Sequence, residues 1–587
     1  MKRIISLLLA VIMLFGMVSV LSACGKPKHP GAEIKIYLGS AVFDFDPSEY
    51  YVSTNAEQIL SLLYEPLFTL NKNGKLRKAA AKKYDVDKDA REITIELRDT
   101  YWSDGIQVKA SDYVYAWCER IINPDNPNPA AALFYEIEGV KEVMQGIGTT
   151  SDIGIKASEM KKIVIKYCEG ADYKNILKNL ASVAASPVRQ DIVESAVINW
   201  SKSASTIVTN GPFKLQKYDT VTGEFELARN VGYHQLPTVK DYNNKVKPSL
   251  LYTTFTSAGD DISVSYSDIK EKVVFVMADA SLSDRSDYHK KAKTADHTST
   301  YTYVFNTNHP LLSDVNVRKA LSLVIDREKI AEAITFGKPA DGFLPDICGG
   351  KKHTIISTTA DKGAAEALLA KVDKDLFEAN KNITLTVEND EQSVKIAQIV
   401  EQAWESIGFV VTVNPVGTVS NKVTSSDDMD TYVLDSEIQY LIKEASYGNV
   451  MYDVIGIDWQ MYSRDGAVGL QSLTSKTNGM GVEYVSEGIG KPYNAVVRSN
   501  IAGWADERYD ELVNDIYSAD KKKERKERIH DAEEYLMDNM PVCPIIFNEN
   551  FAFKNWRISK LRFDGNGNLV FTKVKLFRYK KFLKDDD

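Results

Sequence analysis

The segment at residues 382–416, NITLTVENDEQSVKIAQIVEQAWESIGFVVTVNPV, has an apolar strand pattern at each end and a helical pattern between them. The first strand is predicted over 383–388, and the second follows Gly408. The residues that recur at helical spacing and are predicted to face inward are Val400, Ala403, Trp404 and Ile407. Two strands joined through a helix form a βαβ unit, in which the strands run parallel and the crossover is right-handed.

Other segments show similar patterns. Alternating apolar residues predict half-buried strands in EITIELR (92–98) and KIVIKY (162–167). The segment 313–335 predicts one amphipathic helix, with Asp314 as its N-cap and Gly337 just after its end. Its apolar stripe consists of Val317, Ala320, Leu321, Val324, Ala331 and Ile334. The charge run KKKERKER (521–528) is interpreted as the solvated face of a helix.

Length and composition limit the kind of protein. A chain of 587 residues is long enough for two or more domains. Hydrophobic residues make up 44% and charged residues 26%, which is typical of globular proteins and unlike disordered or polytopic membrane proteins. The net charge of -9 argues against a nucleic-acid partner, because phosphate binding favours a basic surface.

The first 24 residues have the layout of a targeting segment. Lys2 and Arg3 precede an uncharged apolar run that ends in LSAC (21–24). A transmembrane anchor is the alternative, since about twenty apolar residues can span a bilayer. LSAC resembles the lipobox of bacterial lipoproteins, which implies a signal peptide at 1–23 and a lipid on Cys24. Residues 24–32 are then the lipidated cysteine and a flexible tether rich in Gly and Pro.

The remaining cysteines and histidines do not indicate a metal or catalytic site. The spacings contain no C-x-x-C pair, and a buried structural role is preferred for Cys118, Cys168, Cys348 and Cys543. Disulfides are possible in an exported protein, but spacing does not say which cysteines would pair. Common hydrolase and nucleotide-binding motifs are missing from the sequence, so we predict no cofactor.

One segment partly matches a calcium-binding loop. Asp85, Asp87, Asp89 and Glu96 occupy positions 1, 3, 5 and 12 of such a loop. Ala90 stands where the loop needs Gly, and a strand pattern follows in place of a helix. A polar hairpin turn is therefore the preferred interpretation of this segment.

Several separated motifs carry a family resemblance. They are FDP (45–47), LLYEPLFTLNKNGKL (62–76), LRDTYWSDGIQVKASDYVYAW (97–117), NGPFKLQKY (210–218), LARNVGYH (227–234), YTYVFNTNHPLLSDVNVRKALSLVIDRE (301–328) and AEEYLMDNMPVCPIIFN (532–548). In this order, they resemble the oligopeptide-binding type of bacterial extracellular solute-binding proteins of family 5. The resemblance runs from about residue 33 to the C-terminus.

The resemblance implies a two-lobed α/β fold of the periplasmic-binding-protein type (type II), with an extra domain inserted in lobe one. Lobe one would comprise 33–46, 175–300 and 549–587. The inserted domain would take 47–174, and lobe two would take 301–548. The chain would then cross between lobes near 299–301 and 546–549, and the lobes would close by rotation there.

The resemblance also implies a function and a site. We expect a monomeric protein on the outer face of the bacterial membrane that captures oligopeptides for the permease of an ABC transporter, without catalysis. Main-chain hydrogen bonds would hold the peptide as an added strand. The matching segments are Gly39, Ser40 and Ala41 in one lobe and Asp458, Trp459 and Gln460 in the other. Tyr301 and Tyr303 are further candidates, for lining side-chain pockets.

One position departs from the family pattern. Well-studied members carry an aspartate three residues after this tryptophan, where it pairs with the peptide's α-ammonium, and here that residue is Tyr462. Asp458 or Asp465 takes over this role, or the ligand's amino end is bound differently or is not free. The departure keeps open a non-peptide ligand, such as a nickel chelate or an oligosaccharide, or one specific signalling peptide.

Overall fold

A computed structural model describes most of the chain from residue 33 to residue 577. The described ranges are 33–37, 42–49, 54–124, 128–195, 200–219, 223–234, 245–246, 250–254, 275–277, 290–349, 354–424, 430–446, 449–475, 483–486, 493–496, 500–519 and 521–577. The predicted signal peptide, tether and Cys24 lie outside the described residues, as do Gly39, Ser40 and Ala41.

Strands occur along the whole described chain. In chain order they are β1 (Glu33–Tyr37), β2 (Phe68–Leu70), β3 (Leu76–Lys78), β4 (Ala81–Asp87), β5 (Glu92–Leu97), β6 (Ile155–Glu159), β7 (Lys162–Lys166), β8 (Phe213–Tyr218), β9 (Phe225–Arg229), β10 (Lys245–Val246), β11 (Leu250–Thr254), β12 (Phe275–Met277), β13 (Lys293–Phe305), β14 (Lys338–Pro339), β15 (Asn382–Glu388), β16 (Val410–Val416), β17 (Thr418–Thr424), β18 (Asp430–Ser436), β19 (Val454–Gln460), β20 (Glu483–Ser486), β21 (Tyr493–Val496), β22 (Val542–Lys554), β23 (Ile558–Ser559), β24 (Arg562–Phe563), β25 (Leu569–Val570) and β26 (Lys575–Phe577).

Helices lie between many of these strands. In chain order the α-helices are α1 (Thr54–Leu63), α2 (Ala110–Tyr115), α3 (Val140–Met144), α4 (Tyr173–Asn179), α5 (Gln190–Ser195), α6 (Val315–Leu323), α7 (Arg327–Ala333), α8 (Lys362–Leu369), α9 (Lys374–Asn380), α10 (Glu391–Glu405), α11 (Glu437–Ser446), α12 (Gly466–Gln471), α13 (Glu507–Ile516) and α14 (Lys522–Asn539). Within the described ranges, no helix is both long and apolar enough to cross a membrane.

One large sheet runs through the molecule. Its strand order is β16–β15–β19–β13–β22–β12–β1–β11–β9–β8, and β14 also pairs with β22. The two central strands, β13 and β22, are each 13 residues long and pair antiparallel. Their register shifts between Asp296 and Thr300 and again between Tyr301 and Thr302. The predicted crossings near 299–301 and 546–549 fall on this irregular stretch, and their action as hinges stays a prediction.

The buried apolar residues form two separate clusters. The first core is built from residues between 36 and 227 and between 552 and 574, joined by Tyr462 and Val468. The second core is built from residues between 301 and 546. The predicted inserted domain contributes an antiparallel sheet, β4–β5–β7–β6, whose apolar side chains belong to the first core.

The predicted βαβ unit is present in the second core. β15 and β16 run parallel, in register from Asn382 opposite Val410 to Glu388 opposite Val416. α10 begins after Asp390, whose side chain accepts hydrogen bonds from the backbone N–H groups of the first turn. Val400 and Trp404 are fully buried and Ile407 is 8% exposed, as predicted, whereas Ala403 is only half-buried.

The prediction of a single helix over 313–335 is wrong, because the chain leaves the helical path between Leu323 and Arg327. Two helices, α6 and α7, take its place, and Asp326 caps the second by accepting a hydrogen bond from the backbone of Lys329. The buried Arg327 guanidinium donates to the carbonyl of Pro544, at 2.7 Å, and the break positions it to do so. Asp314 caps α6 as predicted.

The segment that partly matches a calcium loop is a hairpin. Asp87 closes the turn between β4 and β5 by accepting hydrogen bonds from the backbone N–H groups of Asp89 and Ala90. Glu96 pairs with Lys82 at 2.7 Å. In the described part of the chain, no three residues of metal-ligating type are arranged to hold an ion. The predicted polar turn is therefore confirmed.

Two of the motifs with family resemblance converge on Glu65. The Asn210 side chain accepts from the Glu65 backbone N–H at 3.0 Å and donates to its carbonyl at 2.9 Å. Tyr233 and His234 contact the two carboxylate oxygens of Glu65. A Cβ atom on Gly211 would lie 2.5 Å from the backbone of Leu63, so only glycine fits there. These motifs therefore fix the architecture of the first core.

Four cysteines lie within the described residues, and three of them are buried. Cys118, Cys348 and Cys543 are buried, and Cys168 is half-buried. Among the described residues all four are free thiols. The preferred interpretation of three of them as buried small side chains is confirmed.

Trp404 gives a test of the second core. Its ring lies 5.9 Å from Tyr303, and its indole N–H donates to the carbonyl of Leu321 at 2.9 Å. W404A should lower the free energy of unfolding by about 3–5 kcal/mol, through the cavity and the lost contacts. E405A, at the next and exposed position, should change it by less than about 0.5 kcal/mol. Urea unfolding measures both, and equal effects would contradict the assigned packing.

Candidate functional site

The second half of β19 has one unpaired edge. β19 pairs with β13 over its whole length, from Val454 opposite Phe305 to Gln460 opposite Ser299. On its other side it pairs with β15 only at Val454 and Ile455. Residues 456–460 therefore carry no strand partner on that edge within the described residues. Such an edge can accept the backbone of an added strand.

Polar side chains follow one face of this strand end. Asp458 and Gln460 lie on the same face, because side chains alternate along a strand. Ser299 and Tyr301 lie opposite them on β13. The amide of Asn548, on β22, donates to Ser299 Oγ at 2.8 Å and to Asp458 Oδ1 at 2.7 Å. Three neighbouring strands thus present polar groups beside the unpaired edge.

The Asp458 carboxyl has an altered acidity. Burial, which removes water from the carboxylate, raises the pKa of Asp458 to about 6. The hydrogen bond from Asn548 opposes this rise, and the nearby negative charge of Asp390 adds to it. The carboxyl group of Asp458 therefore takes up a proton at a higher pH than an ordinary aspartate does.

Trp459 lies on the other face of β19. Its indole N–H donates to Ser472 Oγ at 3.1 Å, and its ring lies 5.8 Å from Phe343. The side chain is 6% exposed and belongs to the second core. Any ligand contact of Trp459 at the unpaired edge would therefore come from its backbone.

The two tyrosines predicted to line pockets are both buried. Tyr301 is 5% exposed and lies directly opposite Asp458. Tyr303 is fully buried, with its ring 5.9 Å from Trp404 on α10. Both tyrosines thus lie opposite residues of the candidate edge, Tyr301 opposite Asp458 and Tyr303 opposite Gly456. That either residue lines a ligand pocket stays a prediction.

Tyr462, which replaces the family's aspartate, lies two residues beyond β19. Its backbone has a φ of 55°, which is uncommon for a residue other than glycine. The side chain is 4% exposed and packs into the first core. The chain after β19 therefore links the two cores at this residue.

Asp465 is engaged by other groups. It caps α12 by accepting from the backbone of Ala467, and its Oδ2 accepts from Arg525 at 2.7 Å. Arg525 also contacts Glu136 Oε1, at 3.3 Å, and Glu136 lies between residues of the first core. This bridge joins the two cores through the half-buried guanidinium of Arg525.

The bridge was not predicted from the sequence. Arg525 stands in the charge run that was interpreted as a solvated helix face, and that interpretation is wrong for this residue. Its neighbours Lys523 and Lys526 are exposed, as predicted. A lone arginine within a charged repeat gives no signal of its distant partners, so only the fold identifies it.

A cavity of about 1290 Å³ lies elsewhere, between α1, the β2–β3 hairpin and residues 561–573. Its lining includes Tyr64, Arg77 and Arg464, but none of the residues 456–460. The candidate site is therefore defined by the unpaired edge of β19 and its polar face, and this cavity is separate from it.

The Glu136–Arg525 contact should hold the two cores together. E136Q should favour separation by about 1.5–3 kcal/mol, the strength of a hydrogen bond to a charged group. Small-angle X-ray scattering should then give a larger radius of gyration than for the wild type. E96Q, which alters an exposed ion pair within the first core, is the matched control and should leave the radius unchanged.

The chain matches the family model for bacterial extracellular solute-binding proteins, family 5 Middle, over residues 75–479. The dipeptide-binding protein DppE of Bacillus subtilis (strain 168) is 25% identical over 523 residues, covering 85% of this chain and 84% of that protein. The oligopeptide-binding protein OppA of the same strain is 24% identical over 588 residues, with 94% and 96% covered.

Solved structures show the same fold. That of Listeria monocytogenes OppA bound to peptide has a TM-score of 0.72 at 16% identity, covering 93% of this chain and 99% of that one. The predicted two-lobed fold of the periplasmic-binding-protein type is thereby confirmed. From the family match, this chain belongs to the bacterial extracellular solute-binding proteins of family 5.

Proposed function

We propose that this protein captures oligopeptides outside the cell and delivers them to the permease of an ABC transporter. The observation that carries the proposal is the unpaired edge of β19 at residues 456–460. Relatives named as dipeptide- and oligopeptide-binding proteins, and a related structure bound to peptide, support it. The protein acts as a monomeric receptor and breaks no bonds in its ligand.

Recognition proceeds through the peptide backbone. An extended peptide lies beside β19 and exchanges N–H and C=O hydrogen bonds with residues 458–460. Gly39, Ser40 and Ala41, which follow β1 in the chain, supply the matching contacts from lobe one. Because backbone groups are common to all peptides, this arrangement accepts varied side chains.

Backbone methylation of the ligand tests this mechanism. Replacing one bonded peptide N–H by N–CH₃ removes a hydrogen bond worth about 0.5–1.5 kcal/mol, so the affinity should fall about threefold to tenfold. Titration calorimetry should show this loss at alternate ligand residues, because alternate N–H groups face the strand. Peptides with altered side chains at the same positions serve as controls and should bind with similar affinity.

The outcome separates the proposed mechanism from its alternatives. Indifference to methylation at every position would contradict strand addition. Mass spectrometry of compounds released from the denatured protein gives the complementary result. Recovery of one defined non-peptide compound, such as a metal chelate or an oligosaccharide, would contradict peptide capture.

We further propose that Cys24 carries a lipid that holds the protein on the outer face of the membrane. The supporting observation is LSAC at residues 21–24, after an uncharged apolar run. An anchored receptor stays near its permease, whereas a free one would diffuse away.

Replacing Cys24 tests whether this residue carries the proposed lipid. C24A should move the protein from the membrane fraction to the medium or leave it uncleaved, because no thiol remains to accept the lipid. C168A, which alters a half-buried cysteine, should stay with the membrane fraction. Immunoblots of the fractions measure both variants, and membrane retention of a cleaved C24A protein would contradict lipidation.

A further inference from the structure

Trp556 is the one exposed tryptophan of the chain. It is 60% exposed, whereas the other six of the seven tryptophans are at most 8% exposed. It follows β22, which ends at Lys554. Tryptophan is seldom left in water, because its ring carries a large apolar area. The exposed ring therefore marks this end of β22 as a candidate contact surface.

The turn that carries Trp556 is fixed by its neighbours. Asn555 and Ile558 are buried, and the Asn555 side chain accepts from the Arg557 backbone N–H at 3.0 Å. Lys554 Nζ donates to the carbonyl of Ile558 at 2.7 Å. The Arg557 guanidinium lies over the Trp556 ring, 4.9 Å from its centroid. The turn therefore holds the ring and the guanidinium side by side.

The surface around this tryptophan is basic. Residues 552–560, at the end of β22, and residues 290–294, at the start of β13, contain five lysines and one arginine but no aspartate or glutamate. The two segments are adjacent, because Lys293 pairs with Ala552. Burial and the nearby charge of Lys293 both lower the pKa of Lys554. This end of the sheet is thus positive, although the chain carries a net charge of -9.

The chain enters the fold at the same end of the sheet. Ile36 of β1, Val276 of β12 and Lys554 of β22 lie opposite one another in neighbouring strands. Two strand spacings, about 10 Å, therefore separate β1 from β22. β1 begins at Glu33 and runs parallel to β12, whereas β22 runs antiparallel to it. The first residues of β1 and the turn after β22 thus lie at one end, where Glu33 and Lys35 add no net charge.

The segment between Cys24 and β1 is short. Residues 24–32 can span at most about 30 Å even when fully extended. The proposed lipid on Cys24 would thus keep this end of the sheet within about 30 Å of the membrane. Lysine and arginine are attracted to anionic lipid headgroups, and tryptophan is enriched at the boundary between lipid and water. The residue types at this end therefore fit the surface that the short segment brings close.

We propose that this end of the sheet is a docking surface for a bilayer with anionic lipid headgroups, formed by Lys290, Lys291, Lys293, Trp556, Arg557 and Lys560. The four lysines are exposed. The inference goes beyond peptide capture and rests on the proposed lipid at Cys24, which brings the two surfaces together. The indole ring enters the interfacial layer, while the cations meet the phosphate groups of the lipids.

The docking surface gives the anchored protein a defined orientation. A lipid alone leaves the protein able to rotate about the segment that follows Cys24. A second contact at the turn after β22 fixes which end of the large sheet faces the membrane. The remainder of the molecule, including the unpaired edge of β19, then stands at a fixed height above the bilayer.

Vesicle binding without the lipid isolates this surface. Protein expressed from residue 25 contains every described element and lacks Cys24. Its binding is measured by co-sedimentation with phosphatidylcholine vesicles and with vesicles that contain about one third phosphatidylglycerol. It should bind the anionic vesicles at least about tenfold more strongly at low salt. High salt should remove this preference, because salt screens exposed charges.

Two variants separate the contribution of the ring from that of the cations. R557Q/K560Q should weaken binding to the anionic vesicles about thirtyfold and reduce its salt dependence. W556A should weaken binding to both kinds of vesicle at least about fivefold while the salt dependence remains. K371Q/K374Q, which removes two exposed lysines beside the start of α9, is the matched control and should bind like the wild type.

Several results would overturn the proposal. Equal binding to both kinds of vesicle, or equal losses in K371Q/K374Q and R557Q/K560Q, would show that this surface does not recognise anionic lipids. Binding to neither kind of vesicle would also overturn it, and is the result expected if the permease covers this surface instead. Thermal unfolding within a few degrees of the wild type shows that each variant is folded. Peptide binding by calorimetry and fractionation of C24A measure the proposed function separately, so a failure on vesicles leaves both of those results intact.

The anchored protein gives a second measurement. The lipid-carrying protein is reconstituted in the same two kinds of vesicle and compared by amide hydrogen exchange. Exchange over residues 555–560 should be slower on the anionic vesicles, because docking removes water from the turn. Exchange over residues 371–374 should be the same on both. Equal exchange over 555–560 on the two kinds of vesicle would contradict docking.

Discussion

The antiparallel pairing of β13 with β22 is the interaction on which the two cores depend. β22 contributes residues to both cores, with Ile546 in the second and Ala552 in the first, and β13 contributes residues between 301 and 305 to the second core. β12 of the first side pairs with β22, while β19 of the second side pairs along β13. The pairing is irregular between Asp296 and Thr300, at the boundary between the cores. A continuous sheet with a local irregularity joins the cores firmly and still leaves a place where the backbone can bend. The candidate ligand edge lies one strand away from this boundary.

Much of the fold could be predicted from the sequence, because its signals are local. The βαβ unit at 382–416 follows from apolar periodicity within one segment, and the hairpin at Asp87 follows from turn chemistry. The motifs around Asn210 and Tyr233 were informative as a family signature, but their physical role is to satisfy Glu65 inside the first core. The strongest sequence signals therefore describe the architecture of the protein and only indirectly its ligand.

The candidate site could be predicted only in part, because it depends on pairing between distant segments. Resemblance pointed to Asp458, Trp459 and Gln460, but the unpaired edge exists because β15 pairs with only the first two residues of β19, although the two strands are equally long. The bridge between Arg525 and Glu136 joins positions 389 residues apart, and the arginine lies in a run that is otherwise exposed. Composition and periodicity carry no information about such pairs, because both measure only neighbours along the chain.

The alternation of side chains along β19 divides two tasks between neighbouring residues. Trp459 fills the second core, while Asp458 and Gln460 lie on the opposite, polar face of β19. Natural variation can therefore change positions 458 and 460 without disturbing the hydrophobic packing, provided that the backbone path is kept. The tryptophan holds that path in place through its own burial. If the proposed binding at this edge holds, receptors built this way can diverge in ligand preference while their frame is kept, because packing and binding would lie on opposite faces of one strand.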